Sequence, residues 1–490
     1  LIKFGTDGWR GVIADDFTFE NVRLVSQAVC DYVLEEAQKS RSAEAGNTEP
    51  TLVIGYDTRF LSDRFAVEAA TVAAGNGIKV LLTDTFAPTP TVSYAVVDRK
   101  TDGAIMFTAS HNPYRYNGLK FKAPYGGSAT PEITDEIERH LEKNVEDGRQ
   151  PDKMLYEEAL ASGAIRLIDI KIPYLKRLSE IVDMDVIRKM EQRVVVDPMH
   201  GAGCGYLREF LSAAGCEVLE IHGHPDPYFG GGQPEPLGQH LADLTKAVKG
   251  SWPMGIALDG DADRIGAIDN NGEFISSHQI FSMLLRYLCE EKGLTGDVVK
   301  TVSTTGMIDL LATKYSLTLH ETPIGFKYIC DYMLSGDVLI GGEESGGIGV
   351  KGHIPERDGI LMGALLVEMC AFYGKTLTEL WFELEKEYGK FCYDRIDIEV
   401  DCDSRESIVS FLKGFRPDEI EGGVVERVND MDGYKYYLTD KSWLMIRPSG
   451  TEAVIRIYAE ADSHERVKKL LQEGEALIAE AQENPGAWRG

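Results

Sequence analysis

Short runs of consecutive apolar residues alternate along most of the chain with segments whose apolar positions recur every three to four residues. Residues 51–55, 79–82 and 104–107 have the first pattern and are read as short buried strands. Val22, Val25, Val29, Tyr32 and Val33 have the second, behind Thr18 as a cap, and predict a helix. A second helix is expected over 64–76. Pro88 and Pro90 interrupt the chain before a third starts at Thr91, and the Ser/Ala/Glu/Gly/Asn-rich stretch 40–50 reads as a loop. The rhythm recurs twice. Strands at 194–196, 217–221 and 255–258 alternate with helices, the last over 237–248 after a Pro/Gly-rich loop at 225–236. Strands at 298–303, 318–321 and 338–340 flank a helix at 308–315. Such alternation predicts mostly parallel sheets. From Tyr393 strands dominate (396–400, 423–428, 434–438, 442–446 and 454–459), before a closing helix from His464. The expected organisation is three similar α/β units, 1–164, 165–276 and 277–388, followed by a smaller α+β unit, 389–490.

Composition narrows the function classes. The 490 residues are 43% hydrophobic and 27% charged, as in a soluble globular protein. Acidic residues outnumber basic ones 79 to 51, a formal charge of −28, which argues against nucleic acid and anionic membrane as partners. The eight cysteines are scattered without a Cys-x-x-Cys pair, which fits a reducing compartment and a cytoplasmic location. No apolar run approaches the roughly 18 residues of a membrane span. The chain opens on Leu1 rather than Met, so part of the natural N-terminus is expected upstream.

Four loops carry the candidate chemistry. The strand at 104–107 leads into Thr108-Ala-Ser110-His111-Asn-Pro113, with Lys120 ten residues after Ser110. Loops past the carboxyl ends of strands are where open α/β sheets place their chemistry. Ser110, with His111 beside it and Lys120 nearby, is a candidate covalent carrier, and a polar turn is the competing reading. Asp259-Gly-Asp261-Ala-Asp263-Arg264 follows an apolar strand. Its alternating carboxylates can converge on a hard cation such as Mg²⁺, with Arg264 available to the same phosphate. An EF-hand is rejected, because Arg264 and Asn270 stand where it needs Gly and Glu; a solvated acidic turn stays open. Gly341-Gly-Glu343-Glu-Ser345-Gly-Gly347 offers acceptors suited to sugar hydroxyls, and Gly325-Phe-Lys327 adds a Gly-flanked cation upstream. Arg447-Pro-Ser449-Gly450-Thr451-Glu452, between two strands, forms an anion cradle or else a plain hairpin turn. Together the loops describe a phosphoryl carrier, a metal, a polyol reader and a second phosphate clamp. Each lies on a different unit, so a cleft shared by all four is expected.

These loops, in this order, resemble the α-D-phosphohexomutase superfamily of phosphoglucomutases and phosphomannomutases. Gly5-Thr-Asp-Gly-Trp-Arg10, Asp57-Thr-Arg59, Pro88-Thr-Pro90 and Asp226-Pro-x-Phe…Pro234-x-Pro236 extend the resemblance over the chain. It implies that Ser110 is a phosphoserine, and that Asp259, Asp261 and Asp263 bind one Mg²⁺ together with it. Arg10, His111, Lys120 and Arg264 would line the transfer site, with Lys120 as general acid/base. Gly325, Lys327, Glu343 and Ser345 would bind the sugar, and Arg447, Ser449, Gly450 and Thr451 the phosphate that is not being transferred. The implied fold is three related α/β domains and a TATA-box-binding-protein-like fourth. The implied activity is interconversion of hexose 1- and 6-phosphates, with hexose 1,6-bisphosphate as activator, sugar phosphates as small-molecule partners and a monomer or dimer as the assembly. Gly347 stands where mannomutase-type members often have His, and Ala453 where many have Pro. The Glu343-Glu-Ser345 loop is nearer the phosphoglucomutase pattern, which favours glucose phosphates over mannose and glucosamine phosphates. A phosphatase-like hydrolase and a non-catalytic scaffold are the rival classes.

Overall fold

A computed structural model of the chain describes residues 2–5, 8–43, 49–190, 192–449 and 454–483. The first sheet contains β1 (Trp9–Val12), β2 (Thr51–Tyr56), β3 (Lys79–Thr83), β4 (Ala104–Phe107), β5 (Tyr116–Lys122) and β6 (Ile165–Ile168). The second has β7 (Arg193–Asp197), β8 (Glu217–Glu220), β9 (Met254–Leu258), β10 (Ile265–Asp269) and β11 (Phe274–Ile275). The third has β12 (Asp297–Thr301), β13 (Leu319–Thr322), β14 (Val338–Gly342) and β15 (Ile348–Val350).

One topology repeats in all three. A central strand (β2, β7 or β12) pairs in parallel with the strand that follows it in sequence (β3, β8 or β13) on one side and with a third (β4, β9 or β14) on the other. The third strand then turns through a hairpin into an antiparallel partner, β5, β10 or β15. Strands β4, β9 and β14 are buried along their whole length, which is why they are continuous apolar runs rather than alternating ones.

The fourth sheet is antiparallel throughout, in the order β16 (Cys392–Glu399), β21 (Val454–Ala461), β20 (Trp443–Pro448), β19 (Tyr434–Leu438), β18 (Gly423–Asn429), β17 (Glu419–Ile420). Ile455, Ile457, Leu444 and Ile446 face the helices Cys402–Gly414 and His464–Glu483. Trp443, Met445 and Tyr458 point the other way, onto Val302 of the third unit.

Several elements differ from the pattern-based reading. The first unit does not close at 164, because β6 pairs in parallel with β3 and belongs to the first sheet. The third helix of that unit starts at Thr89, with Pro90 in its first turn, where a missing N–H costs nothing. The segment 237–248 begins as a 3-10 turn and becomes α-helical only over Ala242–Val248. Strands β1 and β5 have no counterpart in that reading, since β5 carries Asn117, Lys120 and Lys122 at buried positions and does not read as apolar. The first long helix runs to Ala43, and residues 44–48 of the expected 40–50 loop lie outside the described residues.

The helix Gly359–Tyr373 has no polar face and is buried from Gly359 to Ala371. It runs through one apolar core that joins the second and third units, from Tyr174 and Leu207 through Ile256 to Leu311 and Leu384. The first and fourth units have their own cores. Among the described residues no single helix is long and apolar enough to cross a membrane.

Candidate active site

The three hairpins that follow β4, β9 and β14 hold the first three of the four loops, so the repeat delivers each loop from the same topological position. Ser110 lies just past β4 with φ +49°, a left-handed conformation that costs a non-glycine residue about 1 kcal/mol and needs outside support. Thr108 Oγ1 accepts the Ser110 N–H at 2.9 Å. The Arg59 guanidinium, its side chain fully buried, donates to the carbonyls of Ser110 and Asn112 at 2.6 Å and of Pro113 and Tyr116 at 3.0 Å. Asp57 pairs with Arg59 Nε at 3.1 Å and accepts from the Ser62 hydroxyl. Burial pushes the Asp57 carboxyl up against the pull of Arg59.

The Ser110 hydroxyl donates to Asp259 Oδ2 at 2.8 Å and lies 3.4 Å from His111 Nδ1. Burial, reinforced by Arg264, Arg10, Arg59 and Lys120, holds His111 well below the usual imidazole range.

Asp259, Asp261 and Asp263 are fully buried, and one oxygen from each lies within 4.8 Å of the others. Asp259 Oδ1 accepts the backbone N–H groups of Asp263 and Arg264 at 3.0 Å, which curls the loop. Lys120, on β5, reaches Asp261 Oδ2 at 3.0 Å and Asp263 Oδ2 at 3.3 Å. The Thr89 hydroxyl donates to Asp261 Oδ2 at 2.6 Å. Burial, then repulsion from Asp261 and Asp263, drives the Asp259 carboxyl far above its ordinary value. Burial would raise Asp261 too, but Lys120 and Thr89 bring it below the carboxylate range. Asp261 Oδ1 and Asp263 Oδ1 are buried without any hydrogen-bond donor. Crowded carboxylates with bare inward oxygens fit a hard divalent cation, which would relieve both the repulsion and the missing partners.

Arg264 lies 3.7 Å from Glu235 and 3.9 Å from Asp263. Its backbone bridges to Gly347, joining the metal loop to the Glu343 loop. Arg10, on β1, donates to Asn112 Oδ1 at 2.7 Å and so borders the Ser110 loop. Glu343 is buried, which raises its carboxyl, and Arg357 partly offsets this through an ion pair of 3.2 Å. Ser345 is half-buried in the same turn, and the Glu344 carboxylate accepts from Ser303 at 2.9 Å. Gly325, with φ +135°, opens the helix Phe326–Ser335 in a conformation that suits glycine.

Lys327 follows in the first turn of that helix. It lies over the Tyr328 ring at 5.3 Å, and its charge acts on Asp331 and Glu132. On the fourth unit, Arg447 pairs with Asp432 at 2.9 Å, and Ser449 is buried with its N–H on the Val454 carbonyl. Arg395 approaches Glu344 to 4.0 Å, so this unit meets the Glu343 loop. Gly450 and Thr451, and Thr6 and Asp7 of the first motif, lie outside the described residues.

Three residues at the centre have no role in the sequence reading. Arg59 and Thr89 sit inside quoted motifs, Asp57-Thr-Arg59 and Pro88-Thr-Pro90, where a buried-charge or hydroxyl role was available to find. Arg357, a lone cation ahead of an apolar helix, had no local signal.

Three repeats of one α/β topology, each aiming a hairpin loop at a shared centre, with an antiparallel fourth unit beside them, define the class: a phosphohexomutase, an isomerase that moves a phosphoryl group within its substrate. Profiles described as phosphoglucomutase/phosphomannomutase alpha/beta/alpha domains I, II and III match residues 1–148, 172–272 and 276–388, and that of the C-terminal domain matches 413–476. The chain belongs to the phosphoglucomutase/phosphomannomutase family. It is 32% identical over 479 residues to a phosphoglucomutase/phosphomannomutase of Thermococcus kodakarensis, covering 98% of each chain. It is 31% identical over 437 residues to a phosphoglucosamine mutase of Methanococcus aeolicus, covering 87% of this chain and 91% of that one. The crystal structure of a "putative phosphomannomutase" from Thermus thermophilus superposes with a TM-score of 0.83 at 33% identity, covering 98% of this chain and 99% of that one.

Proposed function

We propose that the chain interconverts hexose 1-phosphate and hexose 6-phosphate, with glucose phosphates preferred, through a phosphoserine at Ser110 and a bisphosphorylated sugar. The observation that carries this reading is the Ser110 hydroxyl, held in left-handed backbone by Arg59 and hydrogen-bonded to the first aspartate of a buried carboxylate triad. Asp259, Asp261, Asp263 and Ser110 would hold Mg²⁺, which would supply positive charge to the phosphate there.

The chain's own part is positioning. A free sugar hydroxyl attacks the phosphorus carried by Ser110. The new P–O bond forms as the bond to Ser110 Oγ breaks, the hydroxyl proton passes to a base, and Oγ is left to be reprotonated. Lys120, against the triad, is the candidate acid/base, and Arg264 and Arg10 join it in putting positive charge around His111. The bisphosphate then reorients and returns its other phosphoryl group to Ser110. Glu343 and Ser345 offer acceptors to sugar hydroxyls, and Arg447 and Ser449 hold the distal phosphate. Preference for glucose is supported by the Glu343-Glu-Ser345 and Gly325-Phe-Lys327 sequences. Relatives named for glucose, mannose and glucosamine phosphates lie at similar identity.

The test is a coupled assay with glucose, mannose and glucosamine 1-phosphates, Mg²⁺ and a trace of the corresponding bisphosphate, with Ser110→Ala as control. The expected result is fastest turnover of the glucose ester and none by the variant. Free phosphate in place of the isomer, or full activity of Ser110→Ala, overturns the reading.

A further inference from the structure

Arg357 precedes Asp358, whose carboxylate caps the helix Gly359–Tyr373 by accepting the Leu361 N–H at 2.9 Å. On its other side, Glu356 is clamped to the first unit by Lys122 at 2.7 Å and the Ser128 hydroxyl at 2.9 Å, all buried. The backbone at 357 is therefore fixed from both directions. From there the side chain, 5% exposed, runs inward past Gly347. A Cβ at position 347 would lie 2.2 Å from Arg357 Cδ and 2.9 Å from its Cγ. The guanidinium then divides between two units, with Nη2 on Asp263 Oδ2 at 2.7 Å and Nη1 on Glu343 Oε2 at 3.2 Å, and its carbon 5.7 Å from the centre of the Phe326 ring.

One planar cation thus bridges a carboxylate of the triad and the carboxylate offered to the sugar. A lysine ammonium is a point charge on a flexible stem and does not hold two separated carboxylates in one plane. A side chain at 347 and this course of Arg357 are mutually exclusive. The lack of a side chain at Gly347 is therefore coupled to a residue ten positions downstream.

We propose that Arg357 is a positioning residue for sugar recognition: it fixes the Glu343 carboxylate in register with Asp263, and Gly347 is side-chain-free to let it through. This rests on the reading of the centre as a phosphohexomutase site and names a determinant of how that site holds its sugar. The geometry makes the two positions one functional unit, so their substitutions should fail to add.

The experiment compares wild type, Arg357→Ala, Arg357→Lys, Gly347→Ala and the Arg357→Ala/Gly347→Ala double variant. It uses steady-state assays with glucose 1-phosphate at saturating Mg²⁺, with a thermal melt of each protein. Arg357→Ala and Gly347→Ala should each raise KM roughly tenfold or more, with a smaller change in kcat. The double variant should match Arg357→Ala within about twofold, because the two closest approaches to the added methyl are both to the arginine side chain, and the next, to Glu343 Oε2, is 3.2 Å. Arg357→Lys should recover little of the loss. Costs that multiply in the double variant, or an unchanged KM in Gly347→Ala and Arg357→Lys, overturn the proposal, and those two variants decide it if Arg357→Ala does not fold. No conversion by the wild type sinks the functional reading itself, whereas conversion with additive costs sinks only the role of Arg357.

Discussion

Lys435 gives a pH-dependent prediction with a calculable size. It lies on β19 at the contact between the third and fourth units and is 1% exposed. Its amine donates to the Val302 carbonyl at 2.6 Å, lies 3.8 Å from Glu321, and sits 4.0 Å from the centre of the Trp443 ring. Burial, then the nearby Lys300, lowers its pKa from 10.5 to about 7, while Glu321, Glu460 and Asp309 pull the other way. The unfolded chain keeps the ordinary lysine value, so between pH 7 and 10 the unfolded state holds more protons and stability rises with pH. With these two values the cost of folding this lysine is about 4 kcal/mol at pH 7 and about 2 kcal/mol at pH 9. Lys435→Met removes that dependence and adds a pH-independent offset for the unpaired Val302 carbonyl. Hydrogen exchange at the amides of β19 and β20, corrected for intrinsic rates, reads the opening free energy of this contact. The wild-type minus variant difference should move by about 2 kcal/mol in favour of the wild type from pH 7 to pH 9. A difference that stays flat, or moves the other way, refutes the assignment of a neutral buried amine.

Two further outcomes follow from the site. Arg59→Met removes a donor from four carbonyls, of which that of Pro113 keeps the Tyr116 N–H, and leaves Asp57 buried without its cation, so it should cost about 3–5 kcal/mol in unfolding experiments and slow phosphorylation of Ser110 as followed by intact-protein mass spectrometry; normal stability with slowed phosphorylation would contradict the scaffold role. Asp261→Asn removes one charge of the triad and weakens the Lys120 contact, so Mn²⁺ binding measured by calorimetry should fall roughly tenfold or more; unchanged affinity would show that the triad is not the cation site.

The legible parts of the sequence were those governed by local pattern. β4, β9 and β14 announce themselves because both faces are buried, and the chemistry follows them directly, so Ser110, the aspartate triad and Glu343 were reachable from runs of four or five apolar residues. β5 was illegible because its inward residues are Asn117, Lys120 and Lys122, charges and amides that only tertiary partners make tolerable. Gly359–Tyr373 shows no helical periodicity because the second and third units cover it on every side. Arg357 acts through Asp263 of the second unit and Glu343 of its own, and no local pattern ties it to either, whereas Lys327 lies against the neighbouring Tyr328 ring.

The apolar core threaded by Gly359–Tyr373 belongs to the second and third units together. The aspartate triad and the Glu343 loop are mounted on one chassis, and parting them would mean exposing that helix to water. The reorientation proposed above for the bisphosphate must therefore find its clearance outside that middle. The lobe that bears the serine is itself tied to that middle by the buried Lys122–Glu356 pair, so give is left to the lobe that bears the terminal arginine loop.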